Sequence, residues 1–250
     1  MWNSKTEIRF RTEVNPTKKK HLEILIELFS IPDIGILIIL DSDDYKEYFN
    51  PIWKNQGLHL DIKNGGVEEM SPEYLLEIME SGKYSNLIWL SKRICDADLT
   101  KFIWVASHEF QHFRQSVVSH ELSVANTFLN DTLGKIQIDE PKVAITIPSE
   151  FDAELSAFKT IIKIFGRTKA EEYVRQPHRF DKIGILLSYD PHEQYDIIGK
   201  TIYFLEKYRD QLDVHIQKST DLLVKSFNID YHINKLRELK SHNIGVQGTA

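Results

Sequence analysis

The stretch IWVASHEFQHFRQ, residues 103 to 115, sets two histidines four apart with a glutamate directly after the first. On an α-helix, residues four apart lie on one face, so His108 and His112 can aim their imidazoles at a single point. Asp96-Ala97-Asp98 offers an acidic cap just upstream, and the apolar spacing predicts a helix from Leu99 to about Val118. Val105, Ala106, Phe110 and Phe113 would seat that helix against a core while the histidine face looks into a cleft. The competing reading is a polar helix face whose histidines merely hydrogen-bond. The chain has ten histidines. His120-Glu121 and His192-Glu193 also begin as His-Glu, yet the residues completing those quintets are Val124 and Asp196, so only residues 108 to 112 carry the full H-E-x-x-H pattern.

A catalytic zinc takes three protein ligands and keeps its fourth position for water, whose pKa it brings from 15.7 to about 7. His108 and His112 supply two ligands, and Glu109, one residue round the helix, is placed to accept the water's proton. A third histidine in the pattern H-E-x-x-H-x-x-G-x-x-H is excluded, because the corresponding positions are Gln115 and Val118. Downstream, PSEFDAELSAF at 148 to 158 starts a helix, with Pro148-Ser149 at its beginning. Phe151, Leu155, Phe158, Ile162 and Phe165 step by four, three, four and three along its buried face. Glu150 lies in the first turn and Glu154 one turn later on the same side. Asp152, two residues from Glu150, points to roughly the opposite side, so only one of the two can meet the histidines. Glu150 is the better ligand, since its i+4 neighbour is also acidic and the apolar stripe then packs inward. Acidic residues in a first turn also complement the helix dipole without any metal, which is the plainer account of Glu150 and Asp152.

His108-Glu109-x-x-His112 followed by Glu150-x-x-Ala153-Glu154-x-x-Ala157 resembles the gluzincin metallopeptidases. In particular it resembles the small intracellular gluzincins of the ImmA/IrrE type, in which H-E-x-x-H is followed by a helix reading E-x-x-A-N-x-x-A. The resemblance covers residues 86 to 157. It implies a zincin-like fold, zinc held by His108, His112 and Glu150, water activated by Glu109, and a peptide or protein as substrate. It further implies that Glu154 steadies one zinc histidine from outside the ligand set, at a position usually Asn in the ImmA-like group. Arg114 stands where such helices more often carry an apolar residue, and the spacer from His112 to Glu150 is long. A protein that uses the same zinc fold only as a sensor or scaffold is the second reading.

Working outward, Leu22, Leu25, Ile26 and Phe29 mark one face of a helix running from Pro16 to about Phe29. Ile36 to Leu40 is a β-branched run bounded by turn formers, a buried strand. Leu58 to Ile62 alternates as a half-exposed strand. Ser71-Pro72 opens a helix reaching about Glu80. Asn86 to Ser91 is a further strand, read either as a peptide-pairing sheet edge, by the zincin resemblance, or as an interior strand packing Leu87 and Trp89. Residues 130 to 147 read as irregular, with an alternating piece at Val143 to Ile147. From Tyr195 onward the chain reads as helical, with Ile198, Ile202 and Leu205 on one stripe and Ile233, Leu236 and Leu239 on another. The expected class is α+β: an N-terminal lobe over 1–147 with a small sheet and the active helix, and a helical C-terminal lobe over 148–250 carrying the third ligand, together one catalytic unit.

Composition supports a folded chain and favours no partner of its own: 250 residues, 42% hydrophobic, 27% charged and a formal charge of -6. A mildly acidic chain lacks the electrostatic footprint of nucleic-acid binding, and Lys18-Lys19-Lys20 reads as a solvated helix face. Asp41-Ser42-Asp43-Asp44 departs from a calcium loop at Tyr45 and Lys46 and reads as a turn. The lone Cys95 needs no oxidising compartment and reads as a small buried side chain. No segment has the length or character of a bilayer span or leader peptide, so the expected location is the cytoplasm. Candidates for steadying a developing oxyanion are His178, Arg179, His192 and Tyr195.

Overall fold

The structure is a computed structural model that describes residues 6–10, 13–29, 36–40, 57–61, 82–133, 147–175, 187, 190 and 194–247. Its elements are β1 (Thr6–Phe10), α1 (Pro16–Leu28), β2 (Ile36–Leu40), β3 (Gly57–Asp61), β4 (Asn86–Leu90), α2 (Lys92–Asp96), α3 (Leu99–Val118), α4 (His120–Leu133), α5 (Pro148–Phe165), α6 (Arg167–Val174), α7 (Ile197–Lys207), α8 (Arg209–Lys218), α9 (Leu222–Ser226) and α10 (Ile229–Gln247). The class is α+β. The helix expected at 71–80, the turn at Asp41–Asp44 and most of the alternating piece before Pro148 lie outside the described residues. So do His178, Arg179 and His192. Among the described residues, no helix is long and apolar enough to cross a membrane.

Contacts group the chain into two compact units, one of residues 1–114 with 153–176 and the other of 115–152 with 177–250. This grouping is discontinuous in sequence and differs from a single cut at 147/148. Residues 153–176 join the first unit because the buried face of α5 and the ring of Tyr173 in α6 pack on Trp104 of α3.

The first unit is built on a four-stranded sheet of order β1-β2-β4-β3. β1, β2 and β4 run parallel, with Ile38 aligned between Ile8 and Ile88, and β3 pairs antiparallel with β4. Ile36, Ile38 and Leu40 of β2 are buried, which accounts for the unbroken apolar run of a strand flanked on both sides. β4 is likewise interior, so of the two readings of residues 86–91 the interior one holds, with Leu87 buried and Trp89 partly so. Among the described residues the outer neighbour is β3.

α1 starts as its sequence demands, with Pro16 in the first turn and the Asn15 side chain accepting from Thr17 N at 2.8 Å. Leu22 and Leu25 face inward. The solvated reading of the lysine run fails at Lys18, which is buried and donates from Nζ to the carbonyls of Cys95 and Ala97 at the end of α2. An aliphatic stem packs easily while its ammonium caps a helix C-terminus, where orphan carbonyls and the dipole favour a cation. Cys95 is buried as expected.

α3 follows within three residues of α2, and Asp98 Oδ1 accepts from Lys101 N at 3.0 Å, a side-chain cap at the foreseen place. Phe102, Ile103, Ala106, Phe110 and Phe113 are fully buried on it, and Phe110 stacks on Phe29 at 5.6 Å. Each such ring or branched side chain contributes roughly 1.5–3 kcal/mol on leaving water, so the core-facing side of α3 orients the histidines on its other side.

In the second unit, α4, α7 and α10 enclose Leu122, Leu129, Leu205, Leu212 and Leu236. Phe128 stacks on Phe227 at 3.7 Å with the rings 6° from parallel. The stripes Ile198-Ile202-Leu205 and Ile233-Leu236 are buried, as their spacing predicts. α4 extends to Leu133, so the irregular stretch begins later than position 130.

Candidate metal centre

His108 and His112 sit on consecutive turns of α3 with their Nε2 atoms 2.9 Å apart and their rings 4.6 Å apart at 78°. The two Nε2 atoms therefore lie side by side, and with the proton of each ring on Nδ1 both could face one ion. Glu150, in the first turn of α5, completes the group: one ligand atom from each of His108, His112 and Glu150 lies within 4.8 Å of the others. Glu150 also accepts from Asn130 Nδ2 at 3.3 Å.

The other acids have different employment. Asp152 accepts from Gln115 Nε2 at 2.8 Å, and the same nitrogen donates to the Ser149 carbonyl at 3.0 Å. Glu154 turns Oε1 toward His108 Nδ1 at 3.7 Å and accepts at Oε2 from Trp104 Nε1 at 2.9 Å. The two ring nitrogens of His108 thus face different neighbours, Nε2 toward His112 and Nδ1 toward the Glu154 carboxylate.

Glu109 is buried and leans on the start of β3. A Cβ at Gly57 would stand 2.8 Å from both Cγ and Oε1 of Glu109, closer than such atoms come, so the bare glycine is what admits the carboxyl group. Two residues along β3, His59 holds Asn86 Oδ1 at 2.9 Å from Nε2 and sets its ring edge-on to Phe113 at 6.1 Å. Burial drives the His59 pKa down to about 4 against the opposing effect of Asn86, with the nearby His112 adding to the fall, so His59 is neutral at pH 7.

Two imidazole nitrogens and one carboxylate oxygen form a zinc-type donor set. Ligand atoms about 2.0–2.1 Å from a tetrahedral ion stand roughly 3.4 Å from each other. The histidine pair, at 2.9 Å, is tighter than that, and the whole triad falls within 4.8 Å, a spread that side-chain rotation can adjust. The residues present fit a divalent ion.

Of the four oxyanion candidates, Tyr195 is described, and its ring packs on Phe151 at 5.2 Å. Gly57, His59, Trp104 and Gln115 are neighbours of the site that the sequence reading did not single out. Trp104 had a usable signal, since it lies four residues before His108 on the same helix face. A single histidine or glycine in a short strand carries none.

Compared with models of known protein families, with curated proteins and with solved structures, the chain matches none.

Proposed function

We propose that the protein is a zinc-dependent peptidase with a zincin-like catalytic core. The observation that carries this reading is the meeting of His108 and His112 from α3 with Glu150 from α5 within 4.8 Å, with a buried carboxylate, Glu109, beside the first histidine. His108, His112 and Glu150 would hold the ion. Bound there, zinc supplies a Lewis acid that polarises a carbonyl and makes water acidic enough to react at neutral pH.

The chain's own residues do the rest. Glu109 takes a proton from the attacking water, and as the C–N bond breaks it returns that proton to the departing amine, so one carboxylate serves as base and then acid. Its seat against Gly57 restricts where Oε1 can go, which favours a single line of proton transfer. The Glu154 carboxylate, 3.7 Å from His108 Nδ1, favours a proton on that nitrogen and so leaves Nε2 to face the ion. A net negative chain is a poor fit to a polyanion and compatible with a peptide substrate.

Elemental analysis of the purified protein should find about one zinc per chain. Glu109→Gln should retain that zinc while cleavage of a fluorescently labelled casein falls by at least about 100-fold. Absence of bound zinc under metal-replete conditions, or full activity in Glu109→Gln, refutes the reading.

A further inference from the structure

The carboxylate that faces His108 is itself held by an indole. Trp104 lies one turn before His108 on α3, and Glu154 lies on α5, so a donor, a carboxylate and an imidazole form a short line: Trp104 Nε1 to Glu154 Oε2 at 2.9 Å, and Glu154 Oε1 to His108 Nδ1 at 3.7 Å. The first contact is a hydrogen bond of good length. The second is an electrostatic contact slightly too long to be one.

Trp104 is 3% exposed, and its ring is packed by Phe158 at 6.5 Å and Tyr173 at 5.1 Å. The indole is therefore the fixed partner and the glutamate the movable one, because a Glu side chain has three rotatable bonds and Glu154 keeps 20% of its side chain exposed. Indole N–H can only donate. With Oε2 accepting from that donor, Oε1 is the oxygen turned toward the imidazole. Without the N–H, Glu154 can rotate toward water, and His108 loses the neighbour that keeps its proton on Nδ1.

We propose that Trp104 is a positioning residue for the metal centre, acting through Glu154 to fix the tautomer and ring direction of His108. This rests on the metal site argued above and extends it outward by one residue. A packing role alone predicts something different, since the indole would then matter for its ring and not for its N–H.

The test is a double-mutant cycle read as zinc affinity, by competition with a chromophoric chelator on the full chain, with no substrate involved. Trp104→Phe keeps an aromatic ring and removes the donor; Glu154→Gln keeps the shape of its partner and removes the charge. Glu154→Gln should weaken zinc about 10- to 100-fold, the usual range for an outer-shell partner of a ligand. Trp104→Phe should weaken it about three- to tenfold in the wild-type background and less than twofold in Glu154→Gln. Benzothienylalanine at position 104, which replaces the N–H by sulfur in a ring of the same shape, should reproduce the Trp104→Phe loss even where that variant folds poorly. Unchanged affinity without the N–H, or an equal loss in both backgrounds, overturns the positioning role and leaves the metal site standing. A wild-type chain that binds no zinc removes both together.

Discussion

The Glu109 carboxylate occupies space that only a glycine at position 57 leaves open: a side chain there would meet Glu109 Cγ and Oε1 at 2.8 Å and Val105 Cγ1 at 2.9 Å. The proposed proton carrier is thus held by a strand, whereas the three proposed ligand residues are held by helices. Gly57→Ala should displace the carboxylate and lower turnover by roughly 10- to 100-fold, the scale of an ångström-sized misplacement, with zinc content unchanged. Zinc stoichiometry and initial rates measured on the same sample check this, and undiminished turnover would show that the base does not depend on that seat.

Glu150 and Asp152 are two residues apart and differ in kind. Removing the Glu150 carboxylate takes away a proposed ligand, so Glu150→Ala should weaken zinc by more than the roughly 10- to 100-fold typical of outer-shell changes. Asp152→Ala removes the acceptor of the Gln115 bond and should cost about 1–2 kcal/mol of folding stability with zinc affinity retained. Chelator competition and urea unfolding on both variants separate the two roles. A loss of zinc in Asp152→Ala that matches Glu150→Ala would contradict the assignment.

His59 links stability to pH in the metal-free protein. Its folded pKa, about 4, lies below the ordinary value of 6.5, chiefly through burial. Above pH 6.5 neither state holds the extra proton and the contribution is complete. As pH falls from about 6.5 to about 4 the unfolded chain takes up a proton that the folded one refuses, so stability drops; below about 4 both are protonated and the loss levels off. His59→Gln should flatten the urea midpoint over that window relative to the wild type. Parallel curves for the two proteins would show that another group carries the dependence.

Lys18 closes α2 immediately ahead of the histidine helix. Lys18→Met keeps the apolar stem and removes the ammonium, leaving the Cys95 and Ala97 carbonyls short of a donor, at a cost of about 1–3 kcal/mol. Denaturant unfolding measures it, and a neutral result would mean that solvent replaces the ammonium there.

The parts of the fold written in local periodicity were legible. α3 occupies residues 99–118 and β2 residues 36–40, and the start of α5 at Pro148 and the stripe through Ile198 and Leu205 follow from spacing and turn residues alone. The order of the sheet was not. Whether β4 is interior or at an edge depends on where a distant strand, β3, chooses to pair, and no property of residues 86–91 encodes that. β1 escaped because TEIRF has only two apolar residues in five and, among the described residues, lies against one neighbour. α4 had its signals in Ser119 and in Leu122, Ala125 and Leu129, but they follow the histidine helix with a one-residue break that a periodic reading passes over. Lys18 was misread for a physical reason: residue type reports the charge of a side chain, not whether carbonyls await it. In the site, the pairing of His108 with His112 was legible because i,i+4 geometry is local to one helix, while the support of Glu109 by Gly57 and of Glu154 by Trp104 arises from contacts between elements far apart in sequence.

The position of β3 on the outside of the described sheet puts the support of the proposed base on a strand, apart from the helices that carry the proposed ligands. Fraying of that outer strand would free the proton carrier first, so gentle warming or low denaturant should yield a protein that still retains its ion yet no longer turns over.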